Sequence, residues 1–569
     1  MSVKNLMLGA SALAVMALPA WADGHSARGA DGQVNIIYWQ APSLLNPYLS
    51  GGTKELEAAS LVIEPLARYN EVGEMVPFLV DEIPTVANGG VSEDLTTITW
   101  TLSEGILWSD GTPLTAEDVV FTWEYCTDPN GGCAQASNFT DVTNVEALDA
   151  RTVKVTFGVA KPFPYGPFVG AQSAIIQKAQ FADCMGAKAV ECTDENFAPI
   201  GTGPFTVADF KASDVAVFEA NPNYRDPAKP AFQTVLFKGG GDAAASARSV
   251  LETGEFDYAW NLQVEPEVLS QMEAAGKGTL VSAFGTSVER LMVNQTNPDP
   301  ALGDERATLK HPHPFLTDTA VTKALSLAID RAILVEAGYG SAGQVTCNVL
   351  PAPAAYNSTN NDWCKTQDVD AAKALLDEAG WVPGSDGVRE KDGVRLSVLY
   401  QTSTNSVRQG TQALIKQMWA EIGVETELRN IDASVFFGGD QSSPDTFQKF
   451  FADIEMYTNN FDGTDPEKYM ANWACSEIPA PENQWLGDNM PRFCDPAYEE
   501  LVAEYGKTAG LEDRAAIAIK MNDMLMNAGV IIPLIHRGGV SAHSNTLLGV
   551  KMNEWDSELW NIADWSRAK

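Results

Sequence analysis

The spacing of hydrophobic positions changes along this chain, and each spacing predicts an element. "VNIIYW" (Val34–Trp39) is a short, nearly continuous apolar run, the pattern of a buried strand. "LTTITWTL" (Leu95–Leu102) and "TVKVTF" (Thr152–Phe157) alternate apolar with polar residues, which predicts half-buried strands. Later the period lengthens. "AVTKALSLAIDRAILVEAG" (Ala320–Gly338), "DVDAAKALLDEAG" (Asp368–Gly380) and "RQGTQALIKQMWAEIG" (Arg408–Gly423) predict helices, each stopped by glycine. "VETEL" (Val424–Leu428) predicts a strand directly after the third helix. Alternating helices and strands, without an internal repeat or a low-complexity linker, predict a layered α/β architecture. No clean boundary divides it, as expected of lobes joined by several chain crossings.

Polar clusters inside this pattern first raise the question of chemistry. "WSDGTPLTAEDVVFTWEYC" (Trp108–Cys126) concentrates hydroxyls and carboxylates. Asp110-Gly111 is a turn dipeptide, and Thr115 stands three residues before Asp118, the spacing of a capping box. Glu117 and Asp118 suit the positive end of a helix dipole. Every polar residue has a structural task, and no histidine lies nearby to act as a base. "KGGGDAAASARSV" (Lys238–Val250) has the form of an anion cradle, but Asp242 as an N-cap explains it more simply. "HPHPF" (His311–Phe315) is a candidate metal clip, although proline beside each histidine suits an extended loop. No G-x-S-x-G, H-E-x-x-H or P-loop occurs, and no cofactor or metal is expected.

Composition adds compartment and partners. "MSVKNLMLGASALAVMALPAWA" has a cationic start, an apolar run and an A-x-A end, the form of a signal peptide over residues 1–22. No cysteine follows directly, and no later stretch has membrane length, so a soluble exported protein without membrane insertion is expected. The formal net charge of −37 excludes a nucleic-acid partner. The eight cysteines fall into neighbouring couples: Cys126 with Cys133, Cys184 with Cys192, Cys347 with Cys364, Cys475 with Cys494. Eight cysteines permit about 105 connectivities, so spacing alone does not assign bridges. Four local disulfides fit an oxidising compartment best.

The stretch "LSEGILWSDGTPLTAEDVVFTWE" resembles the signature of the family 5 solute-binding proteins of ABC importers, which include dipeptide- and oligopeptide-binding proteins. "PIGTGPFTV", "ANPNYRDPAKPAF", "LETGEFDYAW", "FLTDTAVTKALSLAIDR", "AAKALLDEAGW" and "FADIEMYTNNFDGTDPEKY" follow in the family's order. The resemblance implies a two-lobed α/β periplasmic binding protein clamshell with an extra inserted subdomain in the first lobe. Carried onto this chain, the first lobe's core covers 30–59, 196–293 and 531–569. The inserted subdomain covers 60–195 and the second lobe 294–530, with hinge strands near 290–297 and 530–538. The implied function is capture of a short peptide for an inner-membrane ABC permease, by a monomer that performs no chemistry.

Peptide-binding relatives hold the ligand's ammonium with an aspartate three residues before an acidic-proline pair. Asp465-Pro466 supplies that landmark, so Asp462 is the implied contact. Asn459 stands where oligopeptide binders often carry tryptophan, which leaves Tyr457 or Phe461 as aromatic wall. Arg408 falls near a position that holds the ligand carboxylate, and Trp39 and Gln40 end the first strand near the cleft. Asn459 also leaves open an oligosaccharide, an opine-like amino-acid derivative or a metal chelate. A secreted hydrolase with paired carboxylates is the rival from another class.

Overall fold

The computed structural model describes residues 27–461 and 463–569. The leader expected at 1–22 and the implied contact Asp462 lie outside the described residues. An eleven-stranded mixed sheet runs through the molecule. In chain order its strands are β1 (Gln33–Tyr38), β2 (Phe205–Lys211), β3 (Val215–Ala220) and β4 (Thr234–Gly239). Next come β5 (Tyr258–Trp260), β6 (Gly278–Val293), β7 (Gly343–Val345) and β8 (Ser397–Ser403). β9 (Glu425–Ile431), β10 (Ile454–Asn459) and β11 (Ile531–Ser544) complete it. The spatial order is β9-β8-β10-β6-β11-β5-β1-β4-β3-β2, with β7 added on β11.

The apolar side chains gather in separate cores. One holds Val34, Ile36 and Tyr38 of β1 together with residues up to Trp260 and again from Leu547 to Trp565. A satellite of Trp39, Leu262 and Ala542 covers the opposite face of the same strands. Two further clusters hold Leu291 to Ile535, packed on both faces of β8 and β10. The long strands β6 and β11 pass from one set of cores to the other. Leu280 of β6 packs on the first set and Leu291 belongs to the second, while on β11 the change lies between Ile535 and Val540. Their pairing is irregular at that place, with register shifts between Phe284 and Val288 and between Glu289 and Arg290. A two-lobed molecule with a sheet crossing between its lobes is the result.

Local structure follows the sequence patterns closely. The predicted strands appear as β1, Thr97–Thr101, Thr152–Phe157 and β9. The predicted helices appear as Val369–Glu378 and Ser406–Glu421, capped by Asp368 and Asn405. "AVTKALSLAIDRAILVEAG" differs, because it forms two helices, Thr319–Leu327 and Arg331–Gly338. Asp330 breaks it by accepting hydrogen bonds from the backbone of Ala332 and Ile333, a cap that competes with helix continuation. Thr115 precedes the helix Ala116–Cys126, and the Asp118 carboxylate accepts from the Thr115 backbone at 2.9 Å. Asp242 caps its helix through Ala245 N at 2.7 Å. All four cysteine couples are disulfides.

Candidate ligand-binding cleft

A cavity of about 900 Å3, counted to its open mouth, lies where β6 and β11 cross between the cores. Both lobes line it. From the first come Gln40 after β1, Glu57 on the helix Thr53–Ala59, Trp260 at the end of β5 with Asn261 after it, and Glu554 and Glu558 near the C-terminus. From the second come Arg408, Phe437, Phe447, Tyr457, Asn459 and Asp488. The lobes also touch beside the cavity: Lys54 Nζ donates to Phe437 O at 2.7 Å, and the Gly463 backbone donates to Trp555 O at 2.6 Å. At Gly463, with φ +74°, a Cβ would lie 2.3 Å from the Tyr69 ring, so this close approach requires glycine.

The second-lobe wall is aromatic. Tyr457 packs against Phe447 at 5.2 Å and Phe437 at 6.3 Å between ring centroids. Beside it lies a buried charge network. Arg408 Nε donates to Glu289 Oε1 at 2.9 Å and its Nη1 to Ser403 Oγ at 2.9 Å. Gln263, Tyr339 and Thr458 also donate to Glu289. Burial alone would raise the Glu289 carboxyl, but Arg408 and Arg537 outweigh it and hold it below its ordinary range. Arg537 spends its own donors on Thr458 Oγ1 at 3.2 Å and on Asn261 Oδ1.

The first-lobe wall is acidic. Glu57 accepts from Ser557 Oγ at 2.6 Å and from the backbone of Glu558 at 3.0 Å and Leu559 at 3.3 Å. Glu558 accepts from Ser541 Oγ at 2.7 Å and from the Tyr258 hydroxyl. Glu554 has Ser287 Oγ at 3.5 Å. A Cβ on Gly539 would fall 1.7 Å from Glu554 Oε1, so glycine on β11 makes room for this carboxyl. Burial pushes Glu57 up to about 8, and the neighbouring Glu558 adds to the rise. Burial does the same to Glu558 and Glu554, both to about 8; Glu554 repels Glu558 further, while on Glu554 the pull of Arg537 exceeds the push of Glu57. Asp488 on the facing lobe is raised by burial to about 6, with Arg290 opposing.

Of the residues predicted from sequence, Gln40, Arg408, Tyr457 and Asn459 come together on this cavity. Phe461 lines an adjoining chamber that shares Asn459, Asn460 and Asp488 with it. Trp39 does not line the cavity: its indole donates to Asn261 O at 2.8 Å and its ring packs in the satellite core. The histidines of "HPHPF" take separate carboxylates, His311 with Glu305 and His313 with Asp453. Sequence reasoning missed Glu57, Glu554, Glu558, Arg537 and the phenylalanine pair.

A cavity enclosed by two lobes, at the strands that join them, is the geometry of a binding protein that closes on its ligand. The family model for bacterial extracellular solute-binding proteins, family 5, matches residues 74–479. The chain belongs to family 5. Among curated family 5 relatives, the periplasmic murein peptide-binding protein MppA of Escherichia coli is 24% identical, over 87% of this chain and 85% of that protein. Protein XP55 of Streptomyces lividans is 28% identical over 68% of this chain, and the match spans 64% of that protein, under two thirds. The fold matches AppA of Bacillus subtilis, solved with a nonapeptide, at a TM-score of 0.80 and 19% identity, over 95% of this chain and all 100% of that one. It also matches NikZ of Campylobacter jejuni, solved with Ni(L-His), at a TM-score of 0.78 and 22% identity, with 95% and 100% covered. These structures establish the two-lobed binding-protein fold.

Proposed function

We propose that this family 5 protein captures a short peptide in the periplasm and delivers it to an inner-membrane ABC permease. It acts as a monomer and leaves its ligand chemically unchanged. The observation that carries the proposal is the cavity itself, polar on one wall and aromatic on the other, and lined by both lobes. The names of MppA and AppA support a peptide. Within this proposal, 30–59, 196–293 and 531–569 form the first lobe's core, 60–195 its inserted subdomain and 294–530 the second lobe. The separate hydrophobic cores support the split between the two lobes, while the inserted subdomain shares one core with the rest of the first lobe. Binding without turnover is supported by Glu57, whose oxygens are taken up by Ser557 and two backbone donors and are not free for proton transfer. Among the described residues, no helix is long and apolar enough to cross a membrane.

Asp462 is assigned to the ligand's ammonium, and Asn459, Tyr457, Phe461, Gln40 and Arg408 to its surroundings. Native mass spectrometry of the exported protein, purified without denaturation, tests the ligand class directly. A retained species with peptide mass supports the proposal; a retained sugar or metal complex overturns it. In calorimetry, Asp462→Ala is expected to weaken a free-amine peptide by roughly 2–5 kcal/mol and to leave its N-acetylated form unaffected. Equal affinities for wild type and variant would remove Asp462 from the site.

A further inference from the structure

The ionisable groups that face the cavity do not pair off. Its wall carries Glu57, Glu554, Asp556, Glu558 and Asp488 against Arg408 and Arg537. Arg408 is neutralised by Glu289 at 2.9 Å, and Asp556 by Arg68 at 3.0 Å, so both pairs leave the count. Asp488 shares the adjoining chamber with Lys468 and feels Arg290. Three first-lobe carboxyls then remain on one wall, with Arg537 the nearest cation. Two of its donors go to Thr458 and Asn261, and its charge reaches Glu554 and Glu558 only from beyond ion-pair distance, one cation against three carboxyls.

A second observation points at the same wall. Gln40 is 6% exposed, lines the cavity, and its amide makes no hydrogen bond among the described residues. Its amide atoms are open to the cavity and have no protein partner, so a ligand can take the place of the water that meets them. Glu554, 8% exposed, is nearly in the same state, with one contact at the 3.5 Å limit. These side chains and the acidic wall therefore form a prepared subsite of acceptors.

We propose that this subsite receives a second cationic group of the ligand, a primary ammonium or guanidinium, so that the protein selects basic peptides. The inference rests on the peptide function proposed above and adds a charge requirement to it. The ammonium assigned to Asp462 is the peptide's own terminus. The second cation is a lysine or arginine side chain, held by Glu554 and Glu558 with Gln40 accepting alongside. The cation replaces the protons that burial otherwise keeps on these carboxyls, an exchange favoured by how little water reaches them.

The test is calorimetry at pH 7 on the full mature protein, with tripeptides of glycine that carry lysine, glutamine or glutamate at each position in turn, and with spermidine. The expected result is at least tenfold tighter binding of one lysine peptide than of its glutamine counterpart, with glutamate weakest. Glu554→Gln and, separately, Glu558→Gln are expected to abolish that preference, and both substitutions keep the size and the uncharged state that the ligand-free wall already has, so folding is retained. Lysine and glutamine peptides binding alike would overturn the cation inference and leave the peptide function standing. Spermidine binding while every peptide fails would uphold the cationic subsite and overturn the peptide function. Failure of all the probes would overturn both.

Discussion

Glu289 sits fully buried on β6 between Arg408 and Arg537, and that position sets the cost of disturbing the cleft. A buried carboxylate with one of its cations removed is expensive, whereas loss of both members of the pair is not. Arg408→Met is therefore expected to lower unfolding free energy by about 3–5 kcal/mol in urea titrations. The Glu289→Met/Arg408→Met double variant should recover part of that loss, since Arg537 still loses its Glu289 counter-charge, and a double variant as unstable as the single would refute the pairing. The sequence showed Arg408 at the start of a helix, but its partner lies 119 positions away and gives no local sign. Glu57 was hidden for a similar reason. In "TKELEAAS" its neighbours Lys54 and Glu55 look like a solvated helix face, yet Lys54 to Ala59 are all buried. Lys54 and Glu55 pair with each other, but the further partners of Lys54 and Glu57 come from residues 437 and 557–559, beyond the reach of any periodicity. Trp39 shows the limit from the other side. Strand β1 is covered on both faces, and such a pattern cannot tell which face turns toward a cleft.

Elements were far more legible, because caps and periods are short-range physics. Asp242, Asp368 and Asp330 each bond their own helix's first turn, and only Asp330 in mid-pattern broke a predicted helix. Asp330→Ala removes that cap and is expected to cost about 1 kcal/mol, read as a lowered midpoint in denaturant. The cysteine couples were equally local. Cys347–Cys364 ties the segment after β7 to the short helix at Asp362–Lys365 across 17 positions. Replacing both cysteines with serine is expected to cost about 3 kcal/mol in the chain-entropy model. Unchanged stability would mean that neighbouring packing already confines this loop.

For the whole molecule, closure and charge are the two properties that the fold couples. Lys161 of the first lobe reaches Asp141 at 2.9 Å and Glu467, next to the second-lobe site loop, at 2.5 Å. It does not line the main cavity, so Lys161→Met is expected to weaken ligand about fivefold through loss of a closed-state contact alone. Titration of the acidic wall gives the last prediction. Glu57, Glu554 and Glu558 are raised from 4.5 to about 8 by burial, facing Tyr38, Tyr258 and Arg537. The folded chain therefore holds protons that the unfolded chain has already lost, and stability falls as pH rises through the folded values. Glu477, raised to about 7, adds in the same sense, whereas buried His536 is lowered and acts only below 6.5. Between pH 6.5 and 8 the ligand-free protein should thus lose thermal stability, each fully protonated carboxyl contributing about 1.4 kcal/mol per pH unit, and the profile should level off above pH 8. Glu554→Gln/Glu558→Gln, which cannot titrate, should flatten the profile, and saturating lysine peptide should flatten it in the wild type. A wild-type melting temperature that is level across this range would show that the carboxyls are already ionised in the closed protein, and that the wall needs no ligand to balance it.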